Sequence, residues 1–337
     1  MILVDAPYIS SGGGLRLLEY LVDELLMREV DFHLLADDRC KGMFDHLVHV
    51  DYIDQSLRTR KAWYKQHDLS GFSSVLCFGN IPTPVRMKVP VYTYFHNINL
   101  LTLEGFPSLK ERAKAWLKRQ VYRHYRRNTD YWLVQTENTR TELVRHLHER
   151  PARVKLMPFY QILSSFHVRE HGEDYVYVSD YFKPKQHAEL LDAWLQLHDR
   201  GIDRTLHLTV PDRALEMLAR IDAVTRLGAR VVNHGFIPFE EVAQLYAASK
   251  AIVYPSLNES LGLGIIEALE AGCDVIGADR PYVHAICQPS DVFDPHSPTS
   301  IADAVERYER GSRPKSSLLI HNQIDDLIQL LQGKTSL

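Results

Sequence analysis

Residues 254–272 read YPSLNESLGLGIIEALEAG, and this segment decides the fold class of the chain. The apolar run Ala251–Tyr254 predicts a buried strand, and Gly262 and Gly264 in the loop that follows predict a turn. Regularly spaced apolar residues then predict a helix at about residues 263–271. A strand that passes through a glycine-containing loop into a helix is the building unit of α/β proteins, so we expect that architecture here.

The same segment carries two acidic residues, Glu259 in the loop and Glu267 in the first turns of the helix, eight positions apart. Free backbone N–H groups around Gly262, at the start of the helix, are suited to phosphate or sugar oxygens. The two carboxylates could accept hydrogen bonds from hydroxyls at opposite ends of one polyhydroxylated ligand, as an acidic residue does with ribose in dinucleotide sites. For Glu267 alone, a charge that complements the helix dipole is the simpler explanation. The whole segment favours a ligand site.

Similar apolar runs recur along the chain, and each is continuous, as expected of parallel strands that are covered on both faces. Helical stretches separate most of them, including helices at about 186–200 and 239–249. The runs are residues 2–4, 32–35, 75–78, 91–95, 131–134, 154–157, 175–178, 206–210, 231–232, 251–254 and 275–276. The pattern loosens over residues 159–172. We therefore predict two α/β domains, 1–158 and 173–312, joined by a linker at 159–172.

Length and composition agree with a two-domain globular protein. The chain has 337 residues, of which 45% are hydrophobic and 24% are charged. A net charge of −4 argues against a general nucleic-acid binder. Four cysteines lie far apart without a C-x-x-C spacing, which indicates a reducing compartment. The sequence shows neither a membrane-spanning apolar run nor a signal peptide, so we expect a cytoplasmic protein.

A glycine run at residues 10–14, SSGGG, lies between the first strand and the first helix. Glycine allows the backbone to approach a ligand closely, and a helix N-terminus favours anionic groups. The run is neither a Rossmann G-x-G-x-x-G motif nor a P-loop, because Leu15, Arg16 and Leu17 follow it. A tight turn without a ligand explains the glycines equally well.

Residues 254–272 resemble the E-x7-E signature of retaining nucleotide-sugar glycosyltransferases of family 4, which have the GT-B fold. The family pattern runs roughly P-S-x-x-E-G-F-G-L-P-x-x-E-A-x-A-x-G. Further segments resemble family blocks in the same order, namely residues 10–14, 134–143, 234–246, 278–283 and 292–295. The resemblance implies two Rossmann-like domains that face each other across a cleft. It also implies that a C-terminal helix within 313–337, for which residues 316–332 have amphipathic spacing, packs back on the first domain.

The resemblance assigns a role to each matching residue. Glu259 and His96 are the expected catalytic residues: Glu259 would contact the transferred sugar and His96 would face it. Glu267 would bind the ribose of the nucleotide. The residues that would contact the diphosphate or the sugar through backbone N–H groups or an ammonium are Gly13, Gly14, Gly262, Leu263 and Lys185. The residues that would border the base pocket are Gly235, Phe236 and Ile237.

Three departures from the family pattern stand out. Asp180 occupies the place of the family arginine, where a carboxylate would repel a diphosphate, and Lys183 is a candidate substitute. Ser260-Leu261 replaces the usual Gly-Phe, and Gly264 the usual proline. Ala285 stands where the closing block often has a glutamate. Of these, Asp180 affects the predicted site most, because a dianion loses one of its cationic partners.

No metal site and no cofactor are predicted. The 17 histidines are scattered, and the acidic pairs at 37–38 and 325–326 read as helix-cap and helix charges rather than as a D-x-D motif. The nucleoside diphosphate sugar is the donor substrate. We expect positive side chains and helix N-termini to stabilise the departing diphosphate.

Residues 110–127, from Lys110 to Arg127, are strongly basic, with eight lysines or arginines and one acidic residue. The apolar residues predicted to share one helical face are Leu109, Ala113, Trp116, Leu117, Val121 and Tyr125. One interpretation is peripheral contact with anionic lipid headgroups on the inner face of the cell membrane. The other is a solvated helix whose apolar stripe packs on its own domain. No nucleic-acid recognition motif accompanies the charge.

The expected function is transfer of a hexose or deoxyhexose, with retention, from a nucleoside diphosphate sugar to a hydroxyl of a growing bacterial surface glycan. The acceptor would be a lipid-linked glycan such as O-antigen, other lipopolysaccharide or capsule. Two alternatives remain open. A sugar-nucleotide epimerase of the same fold would need no acceptor, and a non-catalytic subunit that supports a partner transferase would account for Asp180.

Overall fold

The structure, a computed structural model, describes residues 1–102, 108–162, 172–311 and 313–335. The chain divides into two compact units. The first comprises Met1–Gln161 with His321–Leu337, and the second comprises Ile162–Ile320.

The strands of the first unit are β1 (Ile2–Ala6), β2 (Phe32–Asp37), β3 (Val50–Ile53), β4 (Ser74–Cys77), β5 (Val91–Phe95), β6 (Tyr131–Val134) and β7 (Val154–Leu156). They form a seven-stranded sheet in the order β3-β2-β1-β4-β5-β6-β7, and all neighbours are parallel. The strand order reverses between β1 and β4. In doubly wound sheets, the crevice beyond the carboxyl ends of the strands at such a point is the usual place for a ligand.

The helices that follow these strands are α1 (Gly12–Met27), α2 (Leu57–Gln66), α3 (Asn99–Thr102), α4 (Leu109–Tyr125) and α5 (Glu137–Leu147). The apolar face of α1 is buried as its spacing predicts, through Leu17, Leu18, Leu21, Val22 and Leu25. A buried ion pair fixes the interior of this unit, since Arg60 of α2 donates to Asp5 of β1 at 3.0 Å and both are almost fully buried.

The strands of the second unit are β8 (Tyr175–Tyr177), β9 (Leu206–Leu208), β10 (Val231–Asn233), β11 (Ala251–Tyr254), β12 (Asp274–Ala278), β13 (Cys287–Gln288), β14 (Asp291–Phe293) and β15 (Ser317–Leu318). Six of them form a parallel sheet in the order β10-β9-β8-β11-β12-β14. The other two, β13 and β15, form an antiparallel pair. The strand order of the large sheet reverses between β8 and β11.

The helices of the second unit are α6 (His187–Asp199), α7 (Leu215–Arg226), α8 (Phe239–Ala247), α9 (Leu263–Glu270), α10 (Pro281–Ile286) and α11 (Pro298–Glu309). Helix α12 (Ile324–Leu331) follows β15 and belongs to the first unit. There the Ser74 hydroxyl of β4 donates to the carbonyl of Leu331 at 2.6 Å. The strand orders of the two units confirm the two Rossmann-like parallel sheets that the sequence predicts.

The predicted helix over residues 316–332 is wrong in its first half. Ser317–Leu318 forms β15, and α12 begins only at Ile324. The N–H of Ser316 donates to Asp274 at 2.8 Å, and its hydroxyl accepts backbone N–H bonds of 2.8 and 2.9 Å from β12 and from the loop before β14. These tertiary bonds hold the backbone extended, so the helical spacing of the leucines there does not decide the structure.

The predicted linker contains residues that pack in the first unit. Phe159 and Tyr160 are buried, and the Phe159 ring centroid lies 5.0 Å from that of Tyr94. The side-chain amide of Asn322 donates to the carbonyl of Tyr160 at 2.7 Å. Residues 163–171 of the predicted linker lie outside the described residues.

Candidate functional site

The second unit gathers polar side chains at the point where its strand order reverses. The loop after β8 and the loop after β11 meet there, and the backbone N–H of Leu257 donates to the carbonyl of Pro184 at 2.9 Å. The hydroxyl of Tyr177, in β8, donates to the carbonyl of Lys185 at 3.0 Å. These bonds fix two loops that are far apart in sequence at the crevice where open α/β sheets bind ligands.

Lys185 and Glu259 form an ion pair across this crevice, with the Lys185 ammonium donating to the Glu259 carboxylate. The same carboxylate accepts hydrogen bonds from the Ser256 hydroxyl at 2.6 Å and from the Tyr254 hydroxyl at 3.2 Å. Both charged side chains keep some solvent exposure, 23% for Lys185 and 17% for Glu259. The pair is thus held in place and accessible to a ligand.

Three buried tyrosines pack around the loop that carries Glu259. The Tyr254 ring centroid lies 5.4 Å from that of Tyr177 and 6.4 Å from that of Tyr282. The Tyr282 hydroxyl donates to the carbonyl of Ser256 at 2.6 Å. Burial raises the pKa of all three phenols, and the Glu259 carboxylate raises it further. The phenols therefore remain protonated and act as hydrogen-bond donors.

Gly262 caps helix α9 in a conformation that disfavours other residues. Its φ is +66°, in the left-handed region, and a Cβ atom there would lie 2.8 Å from Cδ1 of Ile286. The helix begins at Leu263, so the N–H groups of its first turn point toward the loop that carries Glu259. Glu267 follows one turn later and is 7% exposed. One loop and one short helix thus present Glu259, Gly262, Leu263 and Glu267 together.

The Asp180 carboxylate is paired with a cation. Arg213, on the loop after β9, donates to both of its oxygens at 2.5 Å. The two loops are neighbours because β8 pairs with β9, and the N–H of Ser179 donates to Thr209 at 3.1 Å. Arg213 is the residue that sequence reasoning missed. The only signal was a basic residue in the loop after a predicted strand.

Gly235, Phe236 and Ile237 lie on the loop after β10, at the same end of the sheet. Gly235 has a φ of +69°, and a Cβ atom there would lie 3.8 Å from the Asp212 carboxylate of the neighbouring loop. Phe236 is 87% exposed. An exposed aromatic ring and a carboxylate at this edge could stack on, and hydrogen-bond to, a planar base.

His187, the first residue of α6, lies two positions after Lys185. It is 2% exposed, and its ring centroid lies 5.0 Å from that of Tyr177 and 5.8 Å from that of Tyr181. Burial, and then the charge of Lys185, lower its pKa to about 3. His187 is therefore neutral at physiological pH and packs against Tyr177 and Tyr181, next to the loop that carries Lys185.

The first unit places the other predicted site residues at its own strand-order reversal. Gly13 and Gly14 lie in the first turn of α1, directly after the β1 loop. His96 follows β5, and a Cβ atom on Gly14 would lie 3.5 Å from its Nε2. Burial lowers the pKa of His96 to about 4. The backbone N–H of His96 donates to Asn80, on the loop after β4, at 2.7 Å.

Helix α4 carries the basic segment, and the face through which it packs is not the apolar stripe described from the sequence. Its buried residues are Ala115, Arg119 and Tyr122, and the Tyr122 ring lies edge-on to Phe95 at 5.9 Å. Four residues of the apolar stripe are exposed: Ala113, Leu109 by 84%, Trp116 by 50% and Leu117 by 58%. Arg119 is buried because its guanidinium donates to the Leu101 carbonyl. The part of the stripe from Leu109 to Leu117 therefore faces solvent together with basic side chains, whereas Val121 and Tyr125 are partly buried.

In the described part of the chain, no three histidine, cysteine, aspartate or glutamate side chains converge as metal ligands do. Nor does any described helix have the length and apolar character needed to cross a bilayer.

Residues 163–323 match the family model described as Glycosyl transferases group 1. The match includes Lys185, Glu259 and Glu267. The serotype-specific mannosyltransferase WbdA of Escherichia coli is 30% identical over 139 residues, which are 39% of this chain. The chain spans 17% of the length of that relative.

Solved structures resemble nearly the whole chain. The lipopolysaccharide outer core galactosyltransferase WaaB, in its apo form, superposes with a TM-score of 0.64 and 13% identity, over 98% of this chain and 94% of that chain. Alr3699/HepE of Anabaena, in complex with UDP, has a TM-score of 0.67 and 16% identity, over 92% of this chain and 89% of that chain. These likenesses show the fold, and the predicted GT-B class is confirmed.

Proposed function

We propose that the protein is a retaining glycosyltransferase that moves a hexose or deoxyhexose from a nucleoside diphosphate sugar to a hydroxyl acceptor. One observation carries the proposal: the Lys185–Glu259 pair lies at the strand-order reversal, beside the N-terminus of α9. An ammonium and free N–H groups suit a diphosphate, and a carboxylate suits sugar hydroxyls. The family match over residues 163–323 supports the same chemistry.

In the proposed reaction, the bond between the sugar and the diphosphate breaks while the acceptor hydroxyl attacks the same face of the sugar. Lys185 and the N–H groups of Gly262 and Leu263 stabilise the charge that develops on the departing diphosphate. An oxygen of the departing diphosphate takes up the proton of the acceptor hydroxyl, so no side chain is assigned as general base. Glu259 orients the transferred sugar and Glu267 binds the ribose. No metal is assigned a role.

Arg213 adds a second cation to the proposed diphosphate site. Both of its hydrogen bonds to Asp180 involve Nη2, and a guanidinium carries further N–H donors on Nε and Nη1. Those donors are able to bind a phosphate oxygen while the bond to Asp180 holds the side chain in place. A functional diphosphate site is therefore compatible with Asp180 in the place of the family arginine.

In the first unit, we assign Gly13 and Gly14, at the N-terminus of α1, to the diphosphate and His96 to the donor sugar. The acceptor is a growing, lipid-linked bacterial surface glycan such as O-antigen. The relative WbdA is named as a mannosyltransferase, and WaaB as a lipopolysaccharide outer core galactosyltransferase. A mannosyl donor is therefore the first to test.

We also propose that the protein acts at the inner face of the cell membrane, where helix α4 contacts anionic lipid. The exposed Leu109, Trp116 and Leu117 would insert among headgroups. Lysines and arginines of the same helix would bind lipid phosphates.

A transfer assay tests the proposed activity. The purified chain is incubated with GDP-mannose, UDP-glucose, UDP-galactose or dTDP-rhamnose, with and without a detergent-solubilised lipid-linked glycan. We expect acceptor-dependent sugar incorporation, and a loss of about a hundredfold or more in Glu259→Gln. Glu270→Gln, which changes an acid at the C-terminal end of α9, is the matched control and should retain transfer.

Other outcomes would contradict the proposal. Conversion of a donor without any acceptor would indicate an epimerase. Nucleotide binding with no turnover of any donor, in wild type and Glu259→Gln alike, would indicate a non-catalytic subunit.

A further inference from the structure

Asn80, on the loop after β4, has an unusual backbone conformation. Its φ is +66°, in the left-handed region that few residues other than glycine adopt, and it is 7% exposed. Strained backbone of this kind persists where the surrounding structure holds it, and it concentrates at functional sites. The side chain of Asn80 contacts His96.

Two contacts fix the orientation of the Asn80 carboxamide. Its Oδ1 accepts the backbone N–H of His96 at 2.7 Å, so its Nδ2 must face the imidazole ring, 3.4 Å from Nε2. A carboxamide nitrogen only donates hydrogen bonds. Nε2 of His96 is therefore the acceptor, and the proton of the neutral ring resides on Nδ1.

The imidazole of His96 is confined by its neighbours. Its ring centroid lies 5.2 Å from that of Phe78 and 6.0 Å from that of Tyr94. Gly14 leaves room beside Nε2, since a Cβ atom there would lie 3.5 Å away. Burial lowers the pKa of the ring to about 4, so it is neutral near pH 7.

Nδ1 of His96 is buried and has no hydrogen-bond partner among the described residues. A buried donor without a partner is destabilising, so such groups usually meet a ligand or an ordered water. Gly14, at the N-terminus of α1, lies beside the other nitrogen of the same ring. The ring therefore lies next to the helix N-terminus that we assign to the substrate, and its Nδ1 is left for a ligand oxygen or an ordered water.

We propose that Asn80 is a positioning residue that holds His96 as its neutral Nδ1–H tautomer, so that Nδ1 donates a hydrogen bond to an oxygen of the bound substrate. His96 then acts as a hydrogen-bond donor and does not accept a proton from the acceptor hydroxyl at Nδ1. The identity of the substrate rests on the proposed function. The tautomer rests on the contacts of Asn80 alone.

Nitrogen-15 NMR of histidine-labelled protein tests the tautomer, with the His96 resonances assigned by their loss in His96→Gln. We expect wild-type His96 to show a protonated Nδ1 and an unprotonated Nε2 near pH 7. An unprotonated Nδ1 and a protonated Nε2 in the wild type would overturn the proposal, and this measurement needs no variant of Asn80.

Asn80→Asp is the decisive variant, because a carboxylate still accepts the backbone N–H of His96 but cannot donate to Nε2. We expect the proton to move to Nε2 and the pKa of His96 to rise by about one unit or more. Asn128→Asp is the matched control, since Asn128 is in the same unit, is also 7% exposed and donates to Thr83 instead. An unchanged tautomer in Asn80→Asp would contradict the positioning role.

Addition of a nucleoside diphosphate or the corresponding nucleotide sugar tests donation to substrate. The Nδ1–H resonance should shift with the nucleotide sugar, and kcat in Asn80→Asp should fall about tenfold, with nucleoside diphosphate affinity unchanged within about twofold. Binding of the nucleotide sugar without a change at Nδ1 would overturn the donor role. A protein with the expected tautomer that binds no nucleotide would contradict the proposed function instead.

Discussion

The Lys185 ammonium donates to the Glu259 carboxylate, which joins the loop after β8 to the loop after β11. The carboxylate is also held by Ser256 at 2.6 Å, so its position does not depend on the lysine alone. A ligand with both phosphate and hydroxyl groups can replace this contact with two new ones: phosphate to Lys185 and hydroxyl to Glu259. A phosphate without a sugar must compete with Glu259 for the lysine.

Arg213→Ala should weaken nucleoside diphosphate binding by about tenfold. A hydrogen bond between charged groups contributes about 1.5–3 kcal/mol, and because Arg213 is largely exposed, we expect a value at the low end of this range. Asp180→Ala removes both a carboxylate that repels phosphate and the contact that holds Arg213, and because these two effects oppose each other, nucleoside diphosphate affinity should change by no more than a few-fold. Isothermal titration calorimetry measures both. Arg220→Ala is the control, since Arg220 forms a similar pair with Asp192, at 2.6 Å, away from this edge of the sheet. Equal affinity in Arg213→Ala and wild type would remove Arg213 from the site.

Gly262→Ala should lower the free energy of unfolding by about 2 kcal/mol or more, because a left-handed backbone and a close contact both oppose a Cβ atom. Gly201→Ala is the control: its φ is +76° and no atom lies within 4 Å of the added Cβ, so we expect about 1 kcal/mol. Ile286→Val removes the contacting methyl group and should recover part of the loss in the double variant. Urea denaturation measures all three. Equal costs for the two glycine variants would contradict the steric argument.

His187 should make the fold less stable as the pH falls from 7.5 to 5. Its folded pKa of about 3 lies below the ordinary value of 6.5, so the unfolded chain binds the proton first and stability is lost on acidification. The loss from this residue is about 2 kcal/mol at pH 5. His187→Phe keeps a ring between Tyr177 and Tyr181 and should flatten the curve of unfolding free energy against pH by that amount. The same pH dependence in both proteins would show that His187 is not buried as described.

Trp116→Ser combined with Leu117→Ser should reduce binding to vesicles of anionic lipid by about tenfold or more, since each buried apolar side chain contributes about 1.5–3 kcal/mol. Lys114→Gln with Lys118→Gln should weaken binding by about 1 kcal/mol per charge, and only to anionic vesicles. Co-sedimentation with anionic and with zwitterionic vesicles measures both effects. Leu227→Ser is the control, since Leu227 is 63% exposed in the second unit. Unchanged binding in all variants would exclude α4 as the membrane contact.

Continuous apolar runs predicted most strands, because strands covered on both faces need apolar residues at every position. No such run marks β3, an edge strand in which Val50, Asp51 and Tyr52 are all partly exposed. For α4, the helical spacing identified an apolar stripe but left open what covers it, and the structure shows Leu109, Trp116 and Leu117 exposed. Ala115 and Tyr122 supply the contacts that bury the helix instead.

The sequence motif located Glu259, Gly262 and Glu267 because they lie within one loop and one helix. Contacts between distant segments could not be predicted in this way. Lys185 is 74 positions from Glu259, and Asp180 is 33 positions from Arg213. Both pairs form because parallel strands bring successive loops to the same edge of the sheet.

The most direct test of the central claim is thermal stabilisation of the purified chain by GDP, UDP, ADP, dTDP and CMP, with magnesium or with EDTA. A nucleotide at about 100 times its Kd should add about 2.7 kcal/mol to the free energy of unfolding. We expect one nucleoside diphosphate to stabilise the wild type under both conditions, to stabilise Lys185→Ala far less, and to stabilise the exposed-lysine control Lys315→Ala fully. No stabilisation of the wild type by any of them, or equal stabilisation of Lys185→Ala, would contradict the account.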